Sequence, residues 1–191
     1  MGKVRFGLSN VRYSIYDSET KTYGDVKRAK GGVSLSLDAE GDTSTFYADN
    51  TAYATFSTNN GYSGTLELAA AEDEMLKDLL GFEDDGGILL EFSDAKQATF
   101  ALMFEVDGNE VPQRTCIYGC TISRPGVNAN TKQDSTDPDT QTFDFKSIGT
   151  DVTFKGVERH LARATVENTT ANAAKYKTFF DKVPTPTEAA A

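Results

Sequence analysis

Residues 44–80 constrain the fold of this chain more than any other stretch. They contain three short runs in which apolar and polar residues alternate, separated by two turn signals, and then an amphipathic segment. Such alternation is typical of strands with one packed face. In the second run, one side carries Thr51, Tyr53, Thr55 and Ser57, and the other carries Ala52, Ala54 and Phe56. Asn60-Gly61 favours a two-residue hairpin turn, because both positions tolerate positive φ. These features predict a small β-protein with one docked helix.

Similar patterns elsewhere predict further strands and two helices. The expected strands cover residues 4–16, 33–38, 88–92, 100–106 and 110–122, with a hairpin turn at 107–109, and one more is marked by Phe143 and Phe145 within residues 140–148. One helix is predicted over 71–80, because Met75, Leu76, Leu79 and Leu80 share a side and Gly81 suits its end. A second is predicted over about 171–183, followed by a frayed tail. No inter-domain linker is evident, so we predict one β-domain over 1–150 and a C-terminal extension over 151–191.

Charge and hydropathy exclude two classes of partner. The 191 residues include 29 acidic and 19 basic side chains, for a formal net charge of -10. Such a surface repels nucleic acid and anionic lipid headgroups. No run approaches the roughly 18 apolar residues that a membrane-spanning helix needs. The N-terminus lacks the apolar block of a signal peptide, so we expect synthesis in a cytosol without export.

The two cysteines, Cys116 and Cys120, favour a structural role. On one continuous strand they would lie about 13 Å apart on the same face, which is too far for a disulfide. A metal site would need more ligands, and the single histidine, His160, is distant in sequence. We therefore predict buried, reduced thiols alongside Tyr118 and Ile122.

No catalytic, cofactor-binding or metal-binding residue is predicted. One histidine leaves little scope for activating a nucleophile, and no phosphate-binding glycine loop is present. The acidic run 83–85 before Gly86-Gly87 lacks the ligand spacing of an EF-hand and is interpreted as solvated loop charge. The chain is not expected to be an enzyme.

Several segments together resemble a known family. Over roughly residues 2–148, the runs YADN (47–50), NGYSGTLE (60–67) and SRP (123–125) occur in the order seen in major tail proteins. These are the tail tube proteins of siphophages, the long-tailed phages with non-contractile tails. Each run is weak alone, whereas their colinear order is specific.

The resemblance implies both a fold and a role. The fold would be a tail-tube-type β-sandwich or split barrel with one short helix packed outside. Six copies would form a ring whose inner sheets join into a barrel, and rings would stack into a tube around the tape-measure protein. Tail-terminator and distal tail proteins would be further partners. The protein would be made in the cytoplasm of the bacterial host and reside in the phage tail, where DNA passes without specific binding.

Elementary physics agrees with such a conduit. Copies joined edge to edge eliminate exposed strand edges. Carboxylates lining the bore would repel duplex DNA, which carries one negative charge per ~1.7 Å. Glu67, Glu91 and Glu105 are candidates to face the lumen, since each lies within a predicted strand. The alternative is that they are solvated charges on an outer face.

Two long polar segments are candidate contacts between stacked rings. They cover residues 17–32 and 126–139, and loops of this length are often functional. Within the second, the candidate contact residues are Asn128, Lys132, Asp134 and Asp137. Deletion of 128–136 is expected to abolish tubes and leave a folded monomer. The competing interpretation is a surface loop without a partner.

A second hypothesis is a carbohydrate-binding or adhesion module. Tyr47, Tyr53 and Tyr62 would form its stacking platform. The absence of tryptophan and of an export signal argues against it. Electron microscopy separates the hypotheses, because rings or tubes favour the first, and dispersed monomers with glycan affinity favour the second.

Overall fold

The computed structural model describes residues 5–108, 111–127 and 139–186 of the chain. In these ranges the chain is mainly β, with fifteen strands, two short α-helices and one 3-10 turn. The strands are β1 (Arg5–Asp17), β2 (Thr22–Tyr23), β3 (Lys27–Arg28), β4 (Gly32–Glu40), β5 (Thr43–Ala48), β6 (Thr51–Ser57), β7 (Gly61–Leu68), β8 (Glu83–Asp85), β9 (Ile88–Leu90), β10 (Phe100–Gly108), β11 (Gln113–Ile122), β12 (Gln141–Ser147), β13 (Thr150–Phe154), β14 (Val157–Leu161) and β15 (Arg163–Glu167). The helices are α1 (Asp73–Leu80) and α2 (Ala173–Thr178), with the 3-10 turn at Thr170–Asn172.

One antiparallel sheet organises the molecule. Its strand order is β2-β1-β10-β11-β12-β7-β4, with β3 added to β1 and β15 added to β11. The sheet curls until β4 begins beside β1, where Gly32 lies against Val11. The inner faces of the curled strands share one apolar core with α1. Its fully buried members include Leu66, Leu68, Leu79, Phe100, Leu102, Ile117, Cys120 and Phe143. The predicted mainly-β fold with a short docked helix is confirmed.

Helix α1 packs against this sheet as its sequence predicts. Met75, Leu79 and Leu80 are buried, and Asp73 and Glu74 lie in the first turn, where acidic side chains complement the helix dipole. Gly81 ends the helix in the left-handed conformation, with φ of 73°. The helix starts two residues later than expected. Asp78 fixes it to the sheet by accepting hydrogen bonds from the Tyr13 hydroxyl at 2.9 Å and from Lys27 Nζ at 2.7 Å.

The sheet forks at β11. One edge of β11 pairs with β10 along most of its length. The other edge is shared, since residues 113–117 pair with β15 and residues 120–122 pair with β12. The pairing with β10 slips by one residue between these halves, and Gly119 lies in the slip with φ of 62°. Such a β-bulge bends a strand and increases its local twist.

The bulge overturns one expectation about the cysteines. Cys116 and Cys120 were predicted to share a face, but Cys116 belongs to the cluster beneath α2 and Cys120 to the main core. The extra residue at Gly119 reverses the alternation of side chains between them. Both thiols are free and buried, as predicted.

The C-terminal segment covers the outer face of β10 and β11. Tyr176, Phe179, Phe180 and Val183 form a second apolar cluster with side chains including Met103, Cys116 and Tyr118. The second predicted helix exists, although its α-helical part is only α2. The boundary expected near residue 150 marks no break, because β15 is hydrogen-bonded to β11 within the main sheet. The predicted frayed tail lies mostly outside the described residues.

Strands β4 to β7 form one long, interrupted hairpin. β4 pairs with β7, and beyond the interruption β5 pairs with β6. The chain reverses at Asp49-Asn50, whose φ angles of 50° and 60° fit a tight two-residue turn. The predicted hairpin turn at Asn60-Gly61 is therefore wrong. Gly61 instead begins β7 against β12, and a Cβ there would lie 1.9 Å from the Ser147 carbonyl oxygen.

Candidate assembly surfaces

A polar sheet face covers β4, β7 and β12 on the side away from the core. We call it the hydroxyl–carboxylate face. The register of the three strands aligns its side chains in rows: Ser34, Glu67 and Thr142; Ser36, Thr65 and Asp144; Asp38, Ser63 and Lys146. Three carboxylates and one ammonium group make the face anionic, and its remaining positions carry only hydroxyls. The alternation of these strands produces it, since Leu35, Leu37, Leu66, Phe143 and Phe145 face the core.

Glu67 is part of this face and is held in place by its neighbours. Its carboxylate accepts hydrogen bonds from the Thr140 hydroxyl at 2.6 Å and from the Ser34 hydroxyl at 2.7 Å. These bonds hold the pKa of Glu67 below its ordinary value. The group is therefore charged at neutral pH, on a surface that water reaches.

The other two lumen candidates have different environments. Glu91 follows β9, which is shorter than the predicted strand, and its carboxylate pairs with Arg124 Nη1 at 2.7 Å on the surface. Glu105 is only 9 % exposed and is enclosed beneath the C-terminal segment. It therefore cannot line a bore in this fold, which corrects that candidate.

Glu105 is the centre of a buried polar cluster. Its carboxylate accepts hydrogen bonds from the Tyr176 hydroxyl at 2.8 Å, Arg114 Nε at 3.0 Å and Asn10 Nδ2 at 3.1 Å. Burial raises the pKa of Glu105, but the hydrogen bonds from Tyr176 and Arg114 outweigh it and leave the pKa below its ordinary value. The Arg114 guanidinium also lies 4.1 Å from the Tyr176 ring centroid and 4.4 Å from that of Phe180. The cluster fastens the C-terminal segment to the sheet.

The two-stranded end of the long hairpin, β5 and β6, exposes aromatic side chains. We call it the aromatic hairpin. Ser44 pairs with Phe56 and Phe46 with Ala54, so that Phe46 and Phe56 share one face. They are 57 % and 61 % exposed. Tyr53 is 76 % exposed and its ring meets that of Phe46 edge-on, with centroids 6.4 Å apart. The expected alternation holds over residues 54–57, but the pairing slips by one residue at Tyr53, and the described part of the chain covers neither side of the hairpin.

The curled sheet leaves an open cavity of about 440 Å³ beside β4 and β15. We call it the barrel mouth. The apolar part of its wall consists of Leu35, Leu37, Phe104 and Val106. The polar part consists of Gln113, Thr115, Arg163 and Thr165. Arg163 extends beside the Tyr62 ring, with its guanidinium carbon 5.5 Å from the centroid. The mouth arises from the fork, because β12 and β15 diverge from the same edge of β11.

The predicted inter-ring segments lie only partly within the described residues. Asn128, Lys132, Asp134 and Asp137 all lie outside the described residues. Residues 17–32 form β2 and β3 on the edge of the sheet and contact α1. Lys27 pairs with Asp78 at 2.7 Å and Glu74 at 2.9 Å, and Lys30 pairs with Glu72 at 2.7 Å. The basic side chains at 27 and 30 are thus engaged within the chain.

The proposed tyrosine platform is not assembled. Tyr47 and Tyr53 lie on the aromatic hairpin, whereas Tyr62 packs against the main core and beside Arg163. The three rings therefore do not form one stacking surface within the described chain.

No site for metal chemistry emerges from the described ranges. The acidic run at Glu83–Asp85 forms β8, which turns through Gly86-Gly87 into β9. His160 Nδ1 lies 2.8 Å from Asp151 Oδ1, and its other ring nitrogen contacts the Ile148 carbonyl oxygen. Nowhere in residues 5–108, 111–127 or 139–186 do three or more potential metal ligands cluster.

Sequence reasoning missed two features, the barrel mouth and the role of Arg114. Arg163 and Arg114 carry no local motif. Arg163 lies beside Tyr62 only because β15 docks on β11, and Arg114 meets Glu105 across the β10–β11 ladder and Tyr176 of the C-terminal segment. The sequence displays the aromatic positions of residues 43–57, but it does not show that the described part of the chain leaves them uncovered.

No helix in the described part of the chain is long and apolar enough to cross a membrane. Comparison with known proteins gives no assignment, since no family model and no curated protein matches the sequence.

Proposed function

We propose that this chain is a structural subunit that assembles with copies of itself into a tube, as tail tube proteins of siphophages do. In this role it performs no chemistry. The tube would be a virion component. It would surround a tape-measure protein before ejection and conduct DNA during ejection. Its contributions are the shape of the subunit, the pairing of its strand edges and the charge of its bore.

The observation that carries the proposal is the hydroxyl–carboxylate face. Asp38, Glu67 and Asp144 outnumber Lys146, and the other five paired positions of the face carry hydroxyls. Ionic screening extends only about 8 Å at physiological salt, so charges lining a bore act on DNA that passes close to the wall. An anionic, hydroxyl-rich wall is wetted and repels phosphates, which allows the duplex to slide.

The strand edges are a second support. β4 ends the main sheet and pairs only with β7 among the described strands, and β5 and β6 pair only with each other. Unpaired edges are templates for another chain, and closure into a barrel removes them. If β4 of each copy pairs with a neighbour, the hydroxyl–carboxylate faces become one continuous inner wall.

Negative-stain electron microscopy of the purified chain tests the proposal. Rings with six-fold symmetry, or tubes built from them, are expected as the protein concentration rises. Particles that remain single subunits at every concentration would contradict the proposal. A glycan-binding screen on those subunits would then test the adhesion hypothesis.

A further inference from the structure

The aromatic hairpin requires a partner for physical reasons. An isolated two-stranded hairpin is marginally stable in water, and sheets usually gain stability from a third strand or a packed face. Here both outer strand edges are unpaired within the described chain, and Phe46, Tyr53 and Phe56 are more than half exposed. Clustered exposed aromatic side chains mark interaction sites on soluble proteins.

The barrel mouth offers a surface of matching chemistry. Its volume of about 440 Å³ lies within the usual range of binding pockets. Leu35, Leu37, Phe104 and Val106 supply an apolar wall, and Leu35, Leu37 and Val106 are only partly buried by their own chain. β4, with its free edge, forms one rim of this cavity, so an incoming strand can pair there while its side chains enter.

The charges of the two surfaces are complementary. Asp49 is the only charged residue between Thr43 and Ser57, and it occupies the tip of the aromatic hairpin. Among the described residues that line the barrel mouth, Arg163 is the only charged one. Within the described chain its guanidinium contacts the Tyr62 ring and forms no ion pair. A docked hairpin would bring a carboxylate to this unpaired cation.

We propose that the aromatic hairpin of one copy docks in the barrel mouth of a second copy, with Asp49 facing Arg163. The contact rests on the proposed self-assembly and names the surfaces that join. Phe46 and Phe56 would contact the apolar wall, and the polar hairpin face, with Thr43, Thr45, Thr55 and Ser57, would remain in water.

Charge reversal tests the contact. Assembly is measured by sedimentation velocity over a concentration series for the unaltered chain, for Asp49→Arg, for Arg163→Asp and for the double variant. Each single variant is expected to raise the concentration needed for assembly at least tenfold, and the double variant to restore it to within about threefold. Asp94→Arg is the matched control, because Asp94 is exposed and belongs to neither surface; it should assemble normally.

A cross-linking measurement keeps the test independent of folding defects. Asp49→Cys protein is mixed with Arg163→Cys protein and oxidised. A disulfide-linked pair containing one of each is expected, with little background, because Cys116 and Cys120 are buried. If the variants fold but form no mixed dimer, the inference is overturned.

The outcomes separate the inference from the proposed function. If the unaltered chain assembles and both charge reversals assemble equally well, the hairpin contact is refuted and the tube proposal stands. If the unaltered chain never assembles, both fail together.

Discussion

Cys116 and Cys120 lie on opposite faces of β11, although four residues separate them on one strand. Gly119 causes this, because the bulge at its position inserts one residue into the ladder with β10. The same bulge marks where β11 changes partner from β15 to β12. One glycine thus positions both the hydroxyl–carboxylate face and the barrel mouth.

Gly119→Ala should destabilise the fold strongly. Gly119 has φ of 62°, and a Cβ there would lie 2.0 Å from the Gly149 carbonyl oxygen, so the backbone must move. We expect a loss of at least about 2 kcal/mol in the free energy of unfolding, measured by urea denaturation. Gly126→Ala is the control, because among the described residues no atom beyond its chain neighbours lies within 4 Å of its Cβ position. Equal stability of the two variants would contradict the role of the bulge.

The two thiols should be unreactive in the folded chain. Burial raises the pKa of Cys120 to about 12 and that of Cys116 well above its ordinary value, and the thiolate is the reactive species. Labelling by a thiol-specific chromogenic reagent at neutral pH should be at least about 1000-fold slower than in denaturant. Rapid labelling of either cysteine without unfolding would show that the second cluster or the core opens readily.

Glu105→Gln should loosen the C-terminal segment. The change leaves Arg114 without its carboxylate in a nearly buried site, so we expect a loss of about 3 kcal/mol in unfolding free energy. Glu91→Gln is the matched control, because its ion pair with Arg124 is exposed and contributes less than about 1 kcal/mol. A comparable loss in both variants would mean that the buried cluster has no special role.

Acid should weaken the same cluster. The pKa of Glu105 is lower in the folded chain than its ordinary value, so the folded state favours the charged carboxylate. The resulting stability is fully present above the unfolded pKa of about 4.3 and disappears as the pH falls through the folded pKa. Unfolding free energy measured between pH 7 and pH 3 should fall less steeply in Glu105→Gln than in the unaltered chain. Identical slopes would exclude Glu105 as a contributor.

Reversing charge on the proposed bore wall should make tubes retain DNA. Tubes of a Glu67→Lys, Asp144→Lys variant are expected to bind duplex DNA at low salt and release it as salt rises, because binding then depends on phosphate contacts. Glu83→Lys is the control, because it introduces a positive charge on the small β8–β9 hairpin, away from the proposed bore wall. Filter retention of labelled duplex measures the difference. Equal retention by these two variants would place the hydroxyl–carboxylate face away from the bore.

The sequence predicts the strands and helices better than it predicts which of them lie next to one another. Alternation placed most strands, and the apolar stripe with Gly81 placed α1, because these signals are local. The face of β11 on which Cys120 lies depends on a one-residue bulge. The turn falls at Asp49-Asn50 because β7 pairs with β4. The burial of Glu105 depended on Tyr176, which is 71 residues away. Contacts of that separation leave no pattern in the segments that make them.

The candidate sites divide in the same way. Glu67 lies on a polar sheet face because its strand alternates, which the sequence displays. Arg163 becomes a candidate contact residue only because the sheet forks at β11. The one residue in the sequence that indicates this fork is Gly119, which adopts a positive φ.

Cryo-electron microscopy of the purified, assembled chain would show which surfaces join the copies and which side chains line the channel. We expect rings of copies in which β4 of each subunit is covered by a neighbour and Asp38, Glu67 and Asp144 line the central channel. An assembly whose channel is lined by lysine and arginine, or a chain that stays monomeric with β4 uncovered, would contradict it.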